Sequence, residues 1–477
     1  MALPRSLKVA LERVAGPSHV ITDPQDLLIF ARDGSVAGAP PDAVVLPRTA
    51  EEVAQIVRLA AAAGVPLVAR GAGTGLSGGA VTVRGGIALQ TSRMRGLEVD
   101  PVARTALVEP GVVNYDLQQA AGRHGLFYAP DPSSQKGCTI GGNAAENSGG
   151  PHCLSYGVTT NHVMAMQVVL SDGTLTWVGG EADHPGLDLL GVLVGSEGTL
   201  CVITRILVRL LPVPESVVTL MAAFPTMDRA GEAVSAIIAR GLVPAAMEMM
   251  DQPCVRAVEA TYHAGYPLDS GAVLLVEVDG LREATAELSE LASGVLTANE
   301  ATLVRVARDA AERDLLWAGR KGAMGALGRI QPNYYLHDGV VPRTRLPQVL
   351  REVERTAQDH RLQVANMFHA GDGNLHPCIL FDVREKGAME TVAAAGEEML
   401  RAVVEAGGTL SGEHGIGIEK NAFMPWIYAP EDLEAMQRVK RTLDPSGYLN
   451  PGKIFPDPDA EPHLAGRAGI CAEARWW

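Results

Sequence analysis

Apolar residues along the chain fall into short runs that alternate with stretches of helical spacing. Asp42-Ala-Val-Val-Leu-Pro47 reads as a strand. Thr49 then has the chemistry of a helix N-cap, with Glu51 and Glu52 in the first turn, where the helix dipole favours acids. Residues 53–63 are apolar at helical spacing and stop at Gly64, and Val65-Pro-Leu-Val-Ala69 is the next strand. Together they predict a β-α-β unit. Residues 86–90, 105–109, 166–170 and 199–210 are further strand-like runs, separated by turn signals such as Ser171-Asp-Gly-Thr174.

Leu211-Pro-Val-Pro-Glu215 is a proline-rich break and marks a domain boundary. Beyond it the pattern predicts a helix over 228–240, a strand over 272–278, a helix over 282–293 and a helix over 431–443 that ends at Asp444-Pro445. The division expected is 1–215, 216–425 and 426–477, with a loosely packed tail from 456 that is rich in Pro, Asp and Ala. No internal repeat or low-complexity tract interrupts it.

Composition narrows the class. At 477 residues the chain is long for one core and implies two or three domains. With 47% hydrophobic and 20% charged residues it is a folded protein rather than a disordered one. Lys plus Arg number 40 against 55 acids, a net charge of -15, so the basic footprint of a nucleic-acid binder is missing. The cysteines at 138, 153, 201, 254, 378 and 471 form no CxxC pair, which argues against a zinc knuckle or a cysteine-ligated cluster. Scattered thiols suit a reducing cytoplasm. Arg5, Lys8, Glu12 and Arg13 break up the N-terminal stretch, which therefore lacks a signal-peptide core. No run approaches the roughly 20 apolar residues of a membrane helix, so any membrane association is expected through a partner.

Five segments carry candidate chemistry. Arg70-Gly-Ala-Gly-Thr-Gly-Leu-Ser-Gly-Gly-Ala80 follows a strand, and its glycines let backbone N–H groups approach a phosphate. Gly73, Gly75 and Gly78 satisfy GxGxxG, but another turn follows in place of the helix that a Rossmann site needs. By itself the loop fits a tight structural turn as well as a phosphate cradle. Residues 130–150, rich in Gly, Ser and Asn, form a long irregular loop of the functional kind, and Gly195-Ser-Glu-Gly-Thr199 has the same character.

His369-Ala-Gly-Asp-Gly-Asn-Leu-His376 reads as a hairpin turn flanked by two histidines that could meet across it. The pair is either structural or half of a metal site. Ser411-Gly-Glu-His-Gly-Ile-Gly417 places Glu413 and His414 in a glycine-rich loop. There Glu413 could complete a set of two histidines and one carboxylate suited to zinc or a similar ion, and His414 could act as a base. Two solvated polar residues on a turn is the plain alternative.

These loops, with Pro47-Arg-Thr-Ala-Glu-Glu-Val53, resemble the vanillyl-alcohol oxidase/p-cresol methylhydroxylase superfamily of FAD proteins. Within it the chain is most similar to the flavin subunits of glycolate oxidases and to the D-lactate and D-2-hydroxyglutarate dehydrogenases. The likeness runs from about residue 42 to 453. It implies an α+β fold: a two-subdomain FAD-binding domain, an antiparallel-sheet substrate (cap) domain, and a C-terminal segment returning to the flavin domain. The active site is expected between the two main domains.

The resemblance also assigns residues. Arg70, Gly71, Ala72, Gly73, Thr74, Gly75, Leu76 and Ser77 would hold the pyrophosphate. Pro130, Asp131, Ser134, Thr139, Gly142, Asn143, Asn147, Glu197, Gly198 and Ile203 would line the rest of the FAD, and Asn450 would return to it. Thr74 stands where covalent members carry histidine, which implies non-covalent FAD. His369, His376 and Glu413 would bind a divalent metal, zinc by its donor set, and His414 would take the substrate proton. Trp317-Ala-Gly-Arg320 matches the pattern that places a carboxylate-binding arginine at Arg320. The 2-hydroxyglutarate enzymes carry a lysine about fifteen residues on, where this chain has Leu336. A small 2-hydroxy acid such as glycolate or D-lactate is therefore expected, with electrons passed to an iron–sulfur partner subunit or another acceptor. A 2-hydroxyglutarate-type dehydrogenase, a non-catalytic flavin subunit, and an alkyl transferase like the ether-lipid synthases are the alternatives. The non-catalytic reading predicts a broken metal set, yet His369, His376, Glu413 and His414 are all present.

Overall fold

The computed structural model describes residues 3–180 and 187–456. The tail expected from 456 lies outside them from residue 457 on, as does Cys471. Two compact units emerge. The first comprises Met1–Gly149, Val158–Val213 and Glu413–Trp477, and the second comprises Gly150–Gly157 and Pro214–Gly412. The pairing of Leu211–Pro212 with Leu126–Phe127 carries the first unit as far as the expected proline break. The second unit ends at Gly412 rather than near 425, and the short excursion 150–157 had no signal in the pattern.

Beside the two-stranded pairing of Leu126–Phe127 with Leu211–Pro212, the described residues of the first unit hold two larger sheets. One has the order Val20–Ile21, Ala43–Val45, Ile87–Gln90, Leu67–Arg70, and its last three strands are parallel. The β-α-β unit forms, with Ile87–Gln90 between its two strands. The helix Ala50–Ala63 starts at Thr49, whose side chain accepts the Glu52 N–H at 3.2 Å, while Glu52 accepts the Arg48 N–H at 2.7 Å. It stops at Gly64, φ 62. Val53, Ile56, Val57 and Ala60 are fully buried against Leu7 and Leu11 of the helix Arg5–Ala15. That apolar stripe drives the packing, because propensity alone leaves a short helix marginal.

The other sheet is antiparallel, in the order Leu97–Asp100, Thr105–Val108, Val202–Arg209, Val163–Val169, Leu175–Gly179. Its apolar face buries Val108, Met166, Val168 and Ile206 with Leu117, Ile140 and Ala144. Those last two belong to a helix, Ile140–Glu146, inside the stretch that the sequence reads as irregular. Gly-Gly-Asn is a poor helical sequence. The helix holds because Thr139 caps it, through the Gly142 N–H at 3.4 Å, and because Ile140 and Ala144 reach the core.

The second unit is built on one antiparallel sheet. Its main path runs Leu303–Val306, Ser216–Phe224, Ala272–Gly280, Ala246–Asp251, Gln363–His369, Asn374–Leu375, Gly339–Val340. Pro377–Phe381 pairs with both Gln363–His369 and Asn333–Leu336. Met227–Ala239 and Arg282–Ala298 pack on Ser216–Phe224, matching the helices expected there. The excursion 150–157 is tied to the sheet by His152 Nε2 to Glu277 Oε1 at 3.1 Å and by the Tyr156 hydroxyl, which donates to Asp279 at 2.5 Å. No helix among the described residues is long and apolar enough to cross a membrane.

Candidate active site

The hairpin predicted around the two histidines forms. His369 ends the strand Gln363–His369 and pairs with Asn374 across the turn. Gly373 sits at φ 80, where a Cβ would strike the Val341 carbonyl, so the turn requires glycine. The imidazoles of His369 and His376 meet edge to face, centroids 5.0 Å apart, and both are almost fully buried.

Two carboxylates without a place in the sequence reading attend them. Glu248 Oε1 lies 2.7 Å from His369 Nδ1, and Asp338 Oδ1 lies 3.5 Å from His376 Nε2. Both acids are 0% exposed. Asp338 also accepts the Ser411 hydroxyl at 2.6 Å and the Gly412 N–H at 3.1 Å, which fixes the backbone one residue before Glu413. A lone acid inside a strand's apolar run is the signal that would have found Glu248, since a buried charge persists only when paired.

Arg320 is buried, 3% exposed, although a basic pair at a helix end usually faces solvent. It closes the helix Ala310–Lys321, which is capped by Asp309 through the Glu312 N–H at 2.9 Å. Trp317 on the same helix donates to Glu277 at 2.6 Å. Arg320 Nη2 approaches Glu248 Oε2 at 2.5 Å, but among the described residues neither Nη2 nor Nε has an acceptor in hydrogen-bond alignment. The contact is therefore coulombic and leaves donor directions unspent. Leu336 is buried in the strand Asn333–Leu336. His337 packs its ring 4.8 Å from Tyr335, against Gly396 of the helix Ala388–Glu405.

Glu413 and His414 open the last stretch of the first unit, with Glu413 Oε1 and His414 Nε2 4.0 Å apart. The same unit holds an open cleft, and Arg70, Gly71, Gly142, Gly198 and Ile203 of the expected cofactor set line it. Thr91, Pro110, Ser196 and Cys201 join them. A Cβ on Gly71 would collide with Thr139 Oγ1, so the first and second loops touch through that glycine. Ser77 Oγ is buried with no hydrogen-bond partner among the described residues.

Several other expected cofactor residues spend their side chains on the loops themselves. Arg70 donates to the Arg32 carbonyl at 2.7 Å and the Ala80 carbonyl at 3.3 Å. Asn143 Oδ1 accepts from Asn114 at 3.3 Å, and Asn147 Oδ1 accepts the Thr160 N–H at 2.8 Å. Glu197 accepts the N–H groups of Ile416 and Gly417, and Asn450 Nδ2 donates to the carbonyls of Gly79 and Glu197 at 2.9 and 2.6 Å. These side chains shape the cradle by bracing it. Burial and the charges of Glu197 and Asp33 push the Glu146 carboxyl well above the usual range. Burial likewise raises Glu197, against two N–H donors and the charges of Lys453 and Lys420.

Residues 41–179 match the FAD binding domain family, and residues 213–454 match the C-terminal domain of FAD linked oxidases. The chain is 46% identical to the glycolate oxidase subunit GlcD of Escherichia coli (strain K12), over 93% of this chain and 90% of that one. It is 38% identical to the Bacillus subtilis (strain 168) GlcD subunit, over 94% and 97%. To the D-lactate dehydrogenase of Archaeoglobus fulgidus it is 35% identical, over 86% and 90%. The solved structure of p-cresol methylhydroxylase with substrate bound superposes at a TM-score of 0.82 with 16% identity, over 96% of this chain and 97% of that one, a likeness of fold. Two matched domains, a cleft lined by the glycine loops and relatives similar over nearly the whole length lead to one family: the chain belongs to the FAD-linked oxidases and is a flavin-dependent oxidoreductase with the p-cresol methylhydroxylase type of fold.

Proposed function

We propose that the protein oxidises a small 2-hydroxy acid, glycolate or D-lactate, to the 2-oxo acid. The observation that carries this reading is the buried cluster of His369, His376, Glu248 and Arg320. It pairs a ligand set for a divalent ion with an arginine whose N–H groups are not fully used.

The donor set fits a metal. Glu248 lies against Nδ1 of His369, the usual arrangement of a carboxylate behind a metal-binding histidine, so an ion would be met through Nε2. His369, His376 and Glu413 would hold the ion, zinc by preference for two imidazoles and one carboxylate. When bound, it would supply Lewis acidity toward the substrate hydroxyl. The cleft bounded by Gly71, Gly142 and Gly198, with Ser77 Oγ buried nearby in the sequence of the first loop, fits FAD. Thr74 offers no imidazole for a covalent link, so the flavin is held by contacts alone. Bound there, it supplies the two-electron acceptor.

The chain's own residues divide the remaining work. Arg320 meets the substrate carboxylate through charge-assisted hydrogen bonds. His414 takes the hydroxyl proton as the carbinol C–H bond breaks with its electron pair, leaving the carbonyl of the 2-oxo acid. Leu336 offers no cation to a second, distal carboxylate, which favours a short substrate over 2-hydroxyglutarate. With no CxxC among six cysteines the chain lacks its own relay, so the electrons leave to an external acceptor. The relatives named as subunits support a partner subunit in that role, and an iron–sulfur protein is the kind of partner proposed for it.

Anaerobic flavin reduction by a panel of 2-hydroxy acids, D and L forms separately, tests the proposal. Glycolate or D-lactate should bleach the flavin absorbance, and D-2-hydroxyglutarate should do so poorly. Bleaching by none of them would refute it, and preference for D-2-hydroxyglutarate would refute the short-substrate reading.

A further inference from the structure

Ala246-Met-Glu-Met-Met-Asp251 is buried along its whole length, and Glu248 is the acid in its middle. A carboxylate so placed is costly to keep unless its oxygens are matched. Glu248 and His369 are directly opposed across the antiparallel ladder, which brings their side chains to one face. Arg320 approaches from the last turn of its helix. Each oxygen faces one partner, Oε1 the imidazole at 2.7 Å and Oε2 the guanidinium at 2.5 Å.

We propose that Glu248 is the positioning residue shared by the metal-binding and carboxylate-binding halves of the site. With Glu248 Oε1 accepting at 2.7 Å, Nδ1 of His369 is the donor and Nε2 keeps its lone pair. The same carboxylate holds the Arg320 guanidinium by charge, while Nε and Nη2 stay unaligned with any acceptor. One side chain thereby sets the tautomer of a metal ligand and the place of the arginine that receives the substrate. The inference rests on the metal reading proposed above.

Glu248→Gln tests it because a neutral amide cannot serve both partners. With its oxygen toward His369, its NH₂ faces the guanidinium, donor against donor. Turned over, it forces Nδ1 to accept and moves the imidazole proton to Nε2, which removes the ligand lone pair. Zn²⁺ affinity of the FAD-loaded protein is measured by competition with a chromogenic chelator, flavin absorbance serving as the control. Glu248→Gln should weaken Zn²⁺ by about 10–100-fold, the usual effect of losing such a partner, and raise the KM for substrate with flavin content unchanged.

Asp251→Asn, a buried acid on the same strand that caps the next helix, is the structural comparison and should leave Zn²⁺ affinity as it is. Wild-type affinity in Glu248→Gln, or an equal loss in Asp251→Asn, overturns the proposal. If Glu248→Gln does not fold, Glu248→Asp is decisive. It keeps the charge but is too short to reach both partners, so a smaller loss supports the proposal and none refutes it. Wild-type protein that binds no ion refutes the metal reading itself, an outcome seen before any variant is compared.

Discussion

Glu197 and Ile416 are joined across 219 positions of sequence: the carboxylate accepts the Ile416 N–H at 2.7 Å, and its second oxygen accepts the Gly417 N–H at 2.8 Å. Glu197 itself sits at φ 53, a left-handed conformation uncommon for a side-chain-bearing residue. The loop around it thus anchors the segment that begins with Glu413 and His414. Glu197→Ala would strand two backbone donors, one of them in buried Gly417. Each stranded donor costs about 1–3 kcal/mol. The variant should lose several kcal/mol in urea unfolding, and an unchanged midpoint would show the anchor to be unimportant.

Asp251 gives a pH-dependent prediction. Burial pushes its carboxyl up to about 7, against hydrogen bonds from Cys254 and Asn366 that pull the other way. The folded value lies above the unfolded one, so the native state keeps a proton that the unfolded chain has released. The stability linked to this group is present at low pH and is lost as pH rises from about 4 to about 7, at up to about 1.4 kcal/mol per pH unit. Asp251→Asn has no such titration. Its stability deficit relative to wild type should be largest near the acid end and narrow toward neutrality, as read from unfolding curves across that range. A deficit constant with pH would show that Asp251 is already ionised.

What could be read from the sequence was what local chemistry decides. Thr49 and Gly64 bracket a helix because a hydroxyl cap and a left-handed stop act within a few residues. The hairpin that joins His369 to His376 was legible for the same reason, since Gly373 must adopt a conformation that few other residues tolerate. The helix Ile140–Glu146 was hidden because tertiary burial of Ile140 and Ala144, rather than propensity, stabilises it. The role of Glu248 was hidden because both its partners come from far along the chain. Among the expected cofactor residues, Gly71 and Gly198 line the cleft. Asn147, Glu197 and Asn450 turn their side chains to backbone groups, a distinction that motif spacing does not carry.

The flavin should be dissociable. Thr74 stands in the first glycine loop and has no nucleophilic ring nitrogen to bond the isoalloxazine. Acid precipitation should leave FAD in the supernatant and a colourless pellet. Yellow colour retained by the denatured chain would contradict the prediction.

Metal analysis of the purified protein should find about one divalent ion per chain, the complement of a single site of this kind. Replacing His369, His376 and Glu413 together by alanine should abolish the bound ion and turnover while FAD is retained, since the cleft proposed for the flavin is lined by other residues. Normal turnover by that variant would remove the metal from the mechanism.

Arg320 and His414 should separate binding from chemistry. Arg320 is buried beside Glu248 with unaligned N–H groups, so the contact proposed for it with the substrate carboxylate would be made on binding and persist through the reaction. Arg320→Lys keeps the charge but loses the planar fork. A charge-assisted hydrogen bond is worth roughly 1.5–3 kcal/mol, and its loss should appear mainly as a raised KM. In the proposed mechanism His414 is needed only as the proton leaves. His414→Ala should therefore lower kcat by roughly 10²–10⁴-fold, the scale of general base catalysis, with little change in KM. Stopped-flow flavin reduction at saturating substrate reads the two apart, and FAD content should match wild type in both. If His414→Ala reduced its flavin at the wild-type rate, another base would be required. His337, packed against Gly396 beneath a helix, is poorly placed to serve, and Asp338, buried 3.5 Å from His376, would be the residue to replace next.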